Sequence, residues 1–440
     1  MPAAAKIERA VRLGRKWTVF PARASVPQQC RLCSSDLQML GCNYIQKGLV
    51  YSMAGATFDF RAVVELLKKS LSEALVYFYP LAGQLASSSD GVVVIDCNDR
   101  GADFIEATAD GVGISEIMEQ NIGASVRELF ALDGAINTNG HFLPLLVVQV
   151  TKLRDGIAVS FTVNHAIVDG TALWHFINCW AQICRESLAS IIDLPPLHSR
   201  CFTTGLPIKL NLQSPKTECL STFTLPPLSE KIFHFTAETI SRLKQQANRA
   251  TSKDKPISSF QALSAHIWKA ITKARGLSPS ELTTFKLAIN CRSRIVPPLP
   301  YSYFGNAIQF ASATICAGEI MDMSMPCVAR LLHSIISAHQ DVNIRAELEK
   351  PPTIVQLDKS SPKNTVMMGS SPRFPMYDND FGWGRPIGVR SGWANKFDGK
   401  MSSYPGCDGS GSVDIEICLL PKTMSVLDSD PHFLSPFTQL

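Results

Sequence analysis

Two β-rich runs, Leu145 to Lys152 and Ile157 to Asn164, are joined by Leu153-Arg154-Asp155-Gly156 and followed at once by a helical period, and no other stretch constrains the fold as tightly. The Asp-Gly pair suits a tight turn, so the runs predict an antiparallel hairpin. From Thr171 to Arg185, Trp174, Phe176, Ile177, Trp180 and Ile183 recur at helical spacing. Asp169 stands where a helix N-cap belongs. The loop between strand and helix therefore has to carry His165.

The rest of the chain alternates in the same way, which points to an α/β class with mixed sheets rather than a bundle or a sandwich. Val92 to Asp96 and Thr284 to Asn290 read as strands, whereas Thr236 to Arg249 and Ser258 to Arg275 read as helices. Phe60 to Tyr77 places Val63, Val64, Leu67, Leu71 and Leu75 on one face and Lys68 and Lys69 on the other, and Pro80 stops it. A chain of 440 residues exceeds what one core supports, so two domains are expected. Prolines accumulate from Pro195 to Pro227. They divide the chain into an N-terminal domain, 1–192, a crossover linker, 193–227, and a C-terminal domain, 228–440.

Several function classes drop out. A net charge of +4 with interspersed signs is no nucleic-acid footprint. Thirteen cysteines lie scattered, as reduced thiols of a cytoplasmic protein would. Cys30 and Cys33 form one Cys-x-x-Cys, but no second Cys or His pair completes a ligand set, so no metal is expected. The longest apolar run, Phe142 to Val150, is a strand rather than a membrane span. Lys6 to Lys16 reads as a frayed basic leader.

Three segments could carry chemistry. His165 at a strand end is placed as a general base would be, although His and Asp four apart also suit a plain structural loop. Tyr377-Asp378-Asn379-Asp380-Phe381-Gly382-Trp383-Gly384-Arg385-Pro386 packs glycines around aromatics. It reads either as a turn closed by an Asp380–Arg385 ion pair or as a place where the Trp383 indole donates to a ligand. Lys253, Lys255, Ser258 and Ser259 precede a helix, which suits either phosphates or an ordinary N-cap.

His165-Ala166-Ile167-Val168-Asp169-Gly170 and Asp380-Phe381-Gly382-Trp383-Gly384 together resemble the two motifs of the plant BAHD acyl-CoA-dependent acyltransferases, closest to the hydroxycinnamoyltransferase-like branch. Leu71 to Leu75, Tyr79 to Leu85, Cys97 to Gly101 and Tyr303-Phe304-Gly305-Asn306 also look like family segments. Gln84, where many relatives carry Arg, and a short stretch between Gln340 and Asn364 depart from the pattern. The resemblance implies two mixed-sheet domains of chloramphenicol-acetyltransferase-like type with a channel between them. Acyl-CoA is the implied co-substrate, with no permanently bound cofactor, and a small alcohol, less readily an amine, of specialised metabolism or cuticle chemistry is the acceptor. His165 is the implied base, the second motif is kept mainly for structure, with Trp383 near the oxyanion beside Asp380, and Asp169 turns away to pair with Arg292 or Arg294. Gly382 and Gly384 are structural, and Lys253, Lys255, Ser258 and Ser259 are the candidates for the coenzyme A phosphates. A monomer without membrane span is expected. A lyase or a non-catalytic interaction protein built on the same scaffold is the alternative, against which the intact His165 and second motif both count.

Overall fold

The computed structural model describes residues 10–53, 59–186, 192–200, 208, 210, 227–249, 256–355 and 363–434. Within the expected linker 193–227, residues 201–207, 209 and 211–226 lie outside the described residues, as do Lys253 and Lys255. The strands of the N-terminal half are β1 (Arg12–Val19), β2 (Gln28–Arg31), β3 (Ile45–Ser52), β4 (Gln84–Ser87), β5 (Val93–Cys97), β6 (Ala102–Ala109), β7 (Leu146–Leu153) and β8 (Gly156–Val163). Those of the C-terminal half are β9 (Ser229–Phe235), β10 (Leu282–Asn290), β11 (Ile308–Cys316), β12 (Thr365–Gly369), β13 (Gly388–Ser391), β14 (Lys400–Pro405) and β15 (Val413–Leu419). The helices that matter here are α1 (Ser34–Gln38), α2 (Phe60–Tyr77), α3 (Gly170–Arg185), α4 (Ala237–Asn248), α5 (Ser259–Arg275) and α6 (Met325–Ser337).

The chain forms two compact units, but the division differs from a single cut at the Pro-rich stretch. The first unit holds the described residues of Met1–Thr222 together with Ser302–Asn306 and Pro375–Ala394, and the second holds the remainder. The segment carrying Asp380 to Gly384 thus belongs with the N-terminal half. The physical cause is β13, whose residues Gly388 to Ser391 pair antiparallel with Val50 to Lys47 of β3 and extend that sheet. Strand pairing, rather than position along the chain, decides membership.

The large sheet of the first unit runs β1-β6-β7-β8-β3-β13, with a small sheet β2-β5-β4 beside it. Only β6 and β7 run parallel in the large sheet. The expected hairpin is there, with Lys152 opposite Ile157 and Leu146 opposite Val163. Gly156, however, opens β8 instead of making the turn: a Cβ there would stand 2.2 Å from the Tyr51 carbonyl oxygen. The glycine is demanded by the close approach of β3, not by a left-handed turn. Part of the expected basic leader is also a strand. Arg12 to Val19 pairs with β6, and Lys16 meets Asp103 at 2.7 Å, so its charges line an exposed sheet edge.

Helix α2 begins where Asp59 accepts from the N–H groups of Arg61 and Ala62, and it ends at Tyr77 before Pro80. It lies against α3, where Trp180 Nε1 donates to Ser70 Oγ at 2.9 Å. The second unit has a sheet ordered β11-β10-β12-β14-β15-β9. Its core gathers Ile267, Trp268 and Ile271 of α5 with Phe285, Val366, Ile415 and Ile417 of the sheet. No helix among the described residues is long and apolar enough to cross a membrane.

Candidate active site

Strand β8 and the loop that leads to α3 are buried, with one exception. From Gly156 to Asp169 every residue is buried except His165. Apolar alternation cannot produce this, because both faces of β8 are covered; the loop turns a single polar ring outward. Its backbone is held from both sides. The His165 N–H donates to Asn137 Oδ1 at 2.7 Å, and the His165 carbonyl accepts from Asn306 Nδ2 at 2.8 Å. Asn164 Oδ1 accepts from the Ala166 N–H at 3.0 Å, an Asx turn, while its Nδ2 donates to the Asn137 carbonyl at 2.8 Å. Asn137 is fully buried and donates in turn to the Met39 carbonyl at 2.7 Å. Neighbouring Asn164 and two asparagines distant in sequence, Asn137 and Asn306, thus fix the backbone that carries the imidazole.

Asp169, also fully buried, accepts from the Ala172 N–H at 3.0 Å and caps α3, as its sequence position predicts. The two arginines expected to bear on it both lie in the second unit. Arg294 Nη1 donates to the carbonyls of Ile336 and His339 at the end of α6, at 2.9 and 2.8 Å. Arg292 is buried, with its N–H on Asn290 Oδ1 at 3.0 Å.

The second motif forms a turn that Asp380 closes. Asp380 Oδ1 accepts from the N–H groups of Gly382 and Gly384, at 2.8 and 2.9 Å. Both glycines adopt positive φ, 110° and 99°, so the carboxylate ties a left-handed turn that other residues would strain. Arg385 meets Asp378 at 3.6 Å rather than Asp380. Trp383 stacks on Phe381, with centroids 5.7 Å apart, and meets Tyr51 edge-on at 5.9 Å. Its Nε1 has no acceptor among the described residues.

This turn and the His165 loop lie at opposite ends of α3. Phe381 packs edge-on against Trp180, and Arg185 donates to the Asp380 carbonyl, so the turn sits at the C-terminal end of α3. His165 precedes the N-terminal end of that helix, about 20 Å away at 1.5 Å per residue. The sheet gives the same answer. Tyr51 lies opposite Ile157, at the start of β8, whereas His165 follows its end at Val163, again about 20 Å along the strand. Asp380 and Trp383 thus lie at the end of α3 opposite to the loop that carries His165.

Ser258 caps α5. Its Oγ accepts from the Gln261 N–H at 3.2 Å, and Gln261 Oε1 accepts from the Ser258 N–H at 2.8 Å, while Ser259 opens the first turn. Among the described residues, Glu230, Glu416 and Cys418 come close enough to share an ion. Lys396 is already the cation there, since its ammonium group contacts Glu230 and reaches Glu416 at 2.7 Å. Motif reading passed over Asn137, Asp36 and Arg200 altogether; Asn306 had a signal only as the last residue of Tyr303 to Asn306. None of the four lies near His165 in sequence.

His165 thus stands on a buried, braced loop of the first unit, and comparison with known proteins gives the class of the chain that carries it. The model of the Transferase family matches residues 10–434. The chain is 39% identical to the BAHD acyltransferase DCR of Arabidopsis thaliana, over 92% of this chain and 88% of the relative. It is 31% identical to hydroxycinnamoyl-CoA:5-hydroxyanthranilate N-hydroxycinnamoyltransferase HHT4 of Avena sativa, over 82% of this chain and 84% of the relative. Among solved structures, vinorine synthase superposes with a TM-score of 0.74 at 23% identity, covering 96% of this chain and 97% of that one. TRI101 of F. graminearum, complexed with coenzyme A and T-2 mycotoxin, gives 0.75 at 19%, covering 92% and 98%. The protein is an acyl-CoA-dependent acyltransferase with acyl-CoA as its co-substrate. It belongs to the BAHD family, whose members with similar sequences include hydroxycinnamoyltransferases.

Proposed function

We propose that the protein moves an acyl group, hydroxycinnamoyl in the first instance, from its coenzyme A thioester to the hydroxyl of a small acceptor of specialised metabolism or cuticle chemistry, with His165 as the general base. The observation that carries this reading is the solvent access of His165 alone within the buried run Gly156 to Asp169. A hydroxyl is a weak nucleophile near neutral pH. A neutral imidazole nitrogen takes its proton as the oxygen attacks the thioester carbonyl, a contribution of roughly 10²- to 10⁴-fold. The tetrahedral intermediate then expels coenzyme A as a thiolate, and the imidazolium returns the proton to that sulfur. With Trp383 at the far end of α3, backbone N–H groups near the loop are left to stabilise the oxyanion. The start of α5, with Ser258 and Ser259, is the reading's site for the coenzyme A phosphates, because first-turn N–H groups favour anions.

The names of related proteins support the hydroxycinnamoyl donor, and both O- and N-acylating relatives occur among them. Cysteines outside any disulfide, such as buried Cys179, Cys184 and Cys418, support a reducing, cytoplasmic setting, and the protein is read as a monomer. The test is thiol release from acetyl-, benzoyl- and hydroxycinnamoyl-CoA with a panel of alcohols and amines. His165→Ala should lower turnover at least about a hundredfold with melting unchanged. Near-normal turnover in that variant refutes the base assignment.

A further inference from the structure

We propose that Asn306, Asp36 and Arg200 form a buried positioning device for His165, an inference that rests on the reading of His165 as the base. Asp36 is fully buried and Asn306 is 2% exposed. The Asn306 amide nitrogen spends one N–H on Asp36 Oδ1 and the other on the His165 carbonyl, at 2.9 and 2.8 Å. Its backbone N–H reaches the same carboxylate oxygen at 2.9 Å. Two acceptors therefore dictate which way the amide faces, since a flipped amide would set its oxygen against a carboxylate and a carbonyl.

Arg200 completes the device from the other side. Its side chain is 3% exposed, and its Nε stands 3.3 Å from Asp36 Oδ2. One terminal nitrogen donates to the Ile167 carbonyl at 3.0 Å, and the other to the Phe304 carbonyl. Burial works against the Arg200 charge, and the neighbouring Asp36 carboxylate more than restores it, so the guanidinium stays charged. The carbonyls of His165 and Ile167, on either side of Ala166, are thus both referred to one carboxylate. Asp36 is itself seated on α1, where it accepts from the Cys33 N–H at 3.0 Å. A fold that needed only a closed loop would require none of this charge in its core. A base whose nitrogen must meet a hydroxyl within a few tenths of an ångström does require a fixed backbone.

The two informative variants leave Asp36 compensated. Asn306→Ala keeps the backbone donor and Arg200 but frees the His165 carbonyl; Arg200→Lys keeps the charge but loses the fork that reaches Ile167 and Phe304. We expect each to lower kcat on the order of ten- to a hundredfold with KM for the acyl-CoA within about twofold, because a displaced base costs transition-state and not ground-state binding. Combined with His165→Ala, neither should lower the residual rate further, since a positioning group has nothing left to position. A purely structural cluster would act equally in both backgrounds. Parental kcat in both variants, or equal losses with and without His165, overturns the inference while the base assignment stands. Near-normal turnover of His165→Ala alone instead removes the reading beneath it. Failure of both variants to fold would mark the cluster as a folding element and also overturn the inference.

Discussion

Replacing Trp383 separates the two roles an indole can play, because its ring and its N–H are engaged so differently. The ring stacks on Phe381 and meets Tyr51 edge-on, whereas Nε1 has no acceptor among the described residues. Each aromatic pair contributes about 0.5 to 1.5 kcal/mol beyond burial. Truncation to Ala also forfeits apolar burial, discounted because the ring keeps some exposure, so Trp383→Ala should destabilise by about 2 to 4 kcal/mol. Trp383→Phe keeps the stack and gives up a donor that bonds to nothing, so its cost should stay under about 1.5 kcal/mol. With the ring about 20 Å from His165, neither change reaches the reacting atoms. Urea denaturation should show the Ala variant clearly weakened and the Phe variant near parental. Thiol release per folded molecule should stay within about twofold for both. A Trp383→Phe protein with normal unfolding and turnover reduced tenfold or more would refute the placement of this motif outside the chemistry.

Other perturbations probe the loop, the charges and the titration of the core. Asn137→Ala removes the acceptor of the His165 N–H, so kcat should fall several-fold or more in steady-state assays, and unchanged kcat would show that the bond is dispensable. Asp169→Ala should cost at least about 1 kcal/mol through the lost α3 cap, read as a lower denaturation midpoint; an unchanged midpoint with lost activity would argue for a direct chemical role. Lys396→Met leaves buried Glu230 and Glu416 without their cation and should destabilise by about 3 to 5 kcal/mol, against which a parental midpoint would count. Burial pushes His198 down to about 4, so the unfolded chain binds its proton near pH 6.5 and the folded one only near 4. Between those values the unfolded state holds more protons, and stability falls as the pH drops, by up to about 3 kcal/mol. His198→Gln should flatten that acid limb in denaturation curves taken from pH 7 to 4.5, and parallel curves for the two proteins would contradict it.

What the sequence determined by itself is local. The hairpin and α3 follow from runs of apolar residues at periods of two and 3.6, and the Asp169 cap from its place one residue ahead of the helix. His165 was legible as a candidate because those flanking elements define a loop, and its pairing with Asp380 to Gly384 made the family recognisable. Which residues brace that loop was decided only in three dimensions. Asn137 and Asn306 stand 28 and 141 positions from His165, and no spacing rule links an amide to a carbonyl so far along the chain. The second motif shows the same limit from the other direction. Its composition admits both a ligand site and a turn, and only the pairing of β13 with β3 shows that Trp383 lies at the end of α3 away from His165. Gly156 was read as a turn residue because an Asp-Gly pair carries that local signal, yet the need for a glycine comes from β3, more than a hundred residues earlier. Local periodicity fixes an element because its hydrogen bonds close within a few residues. Strand order and buried polar partners depend on contacts between distant segments, whose energies no single stretch of sequence displays.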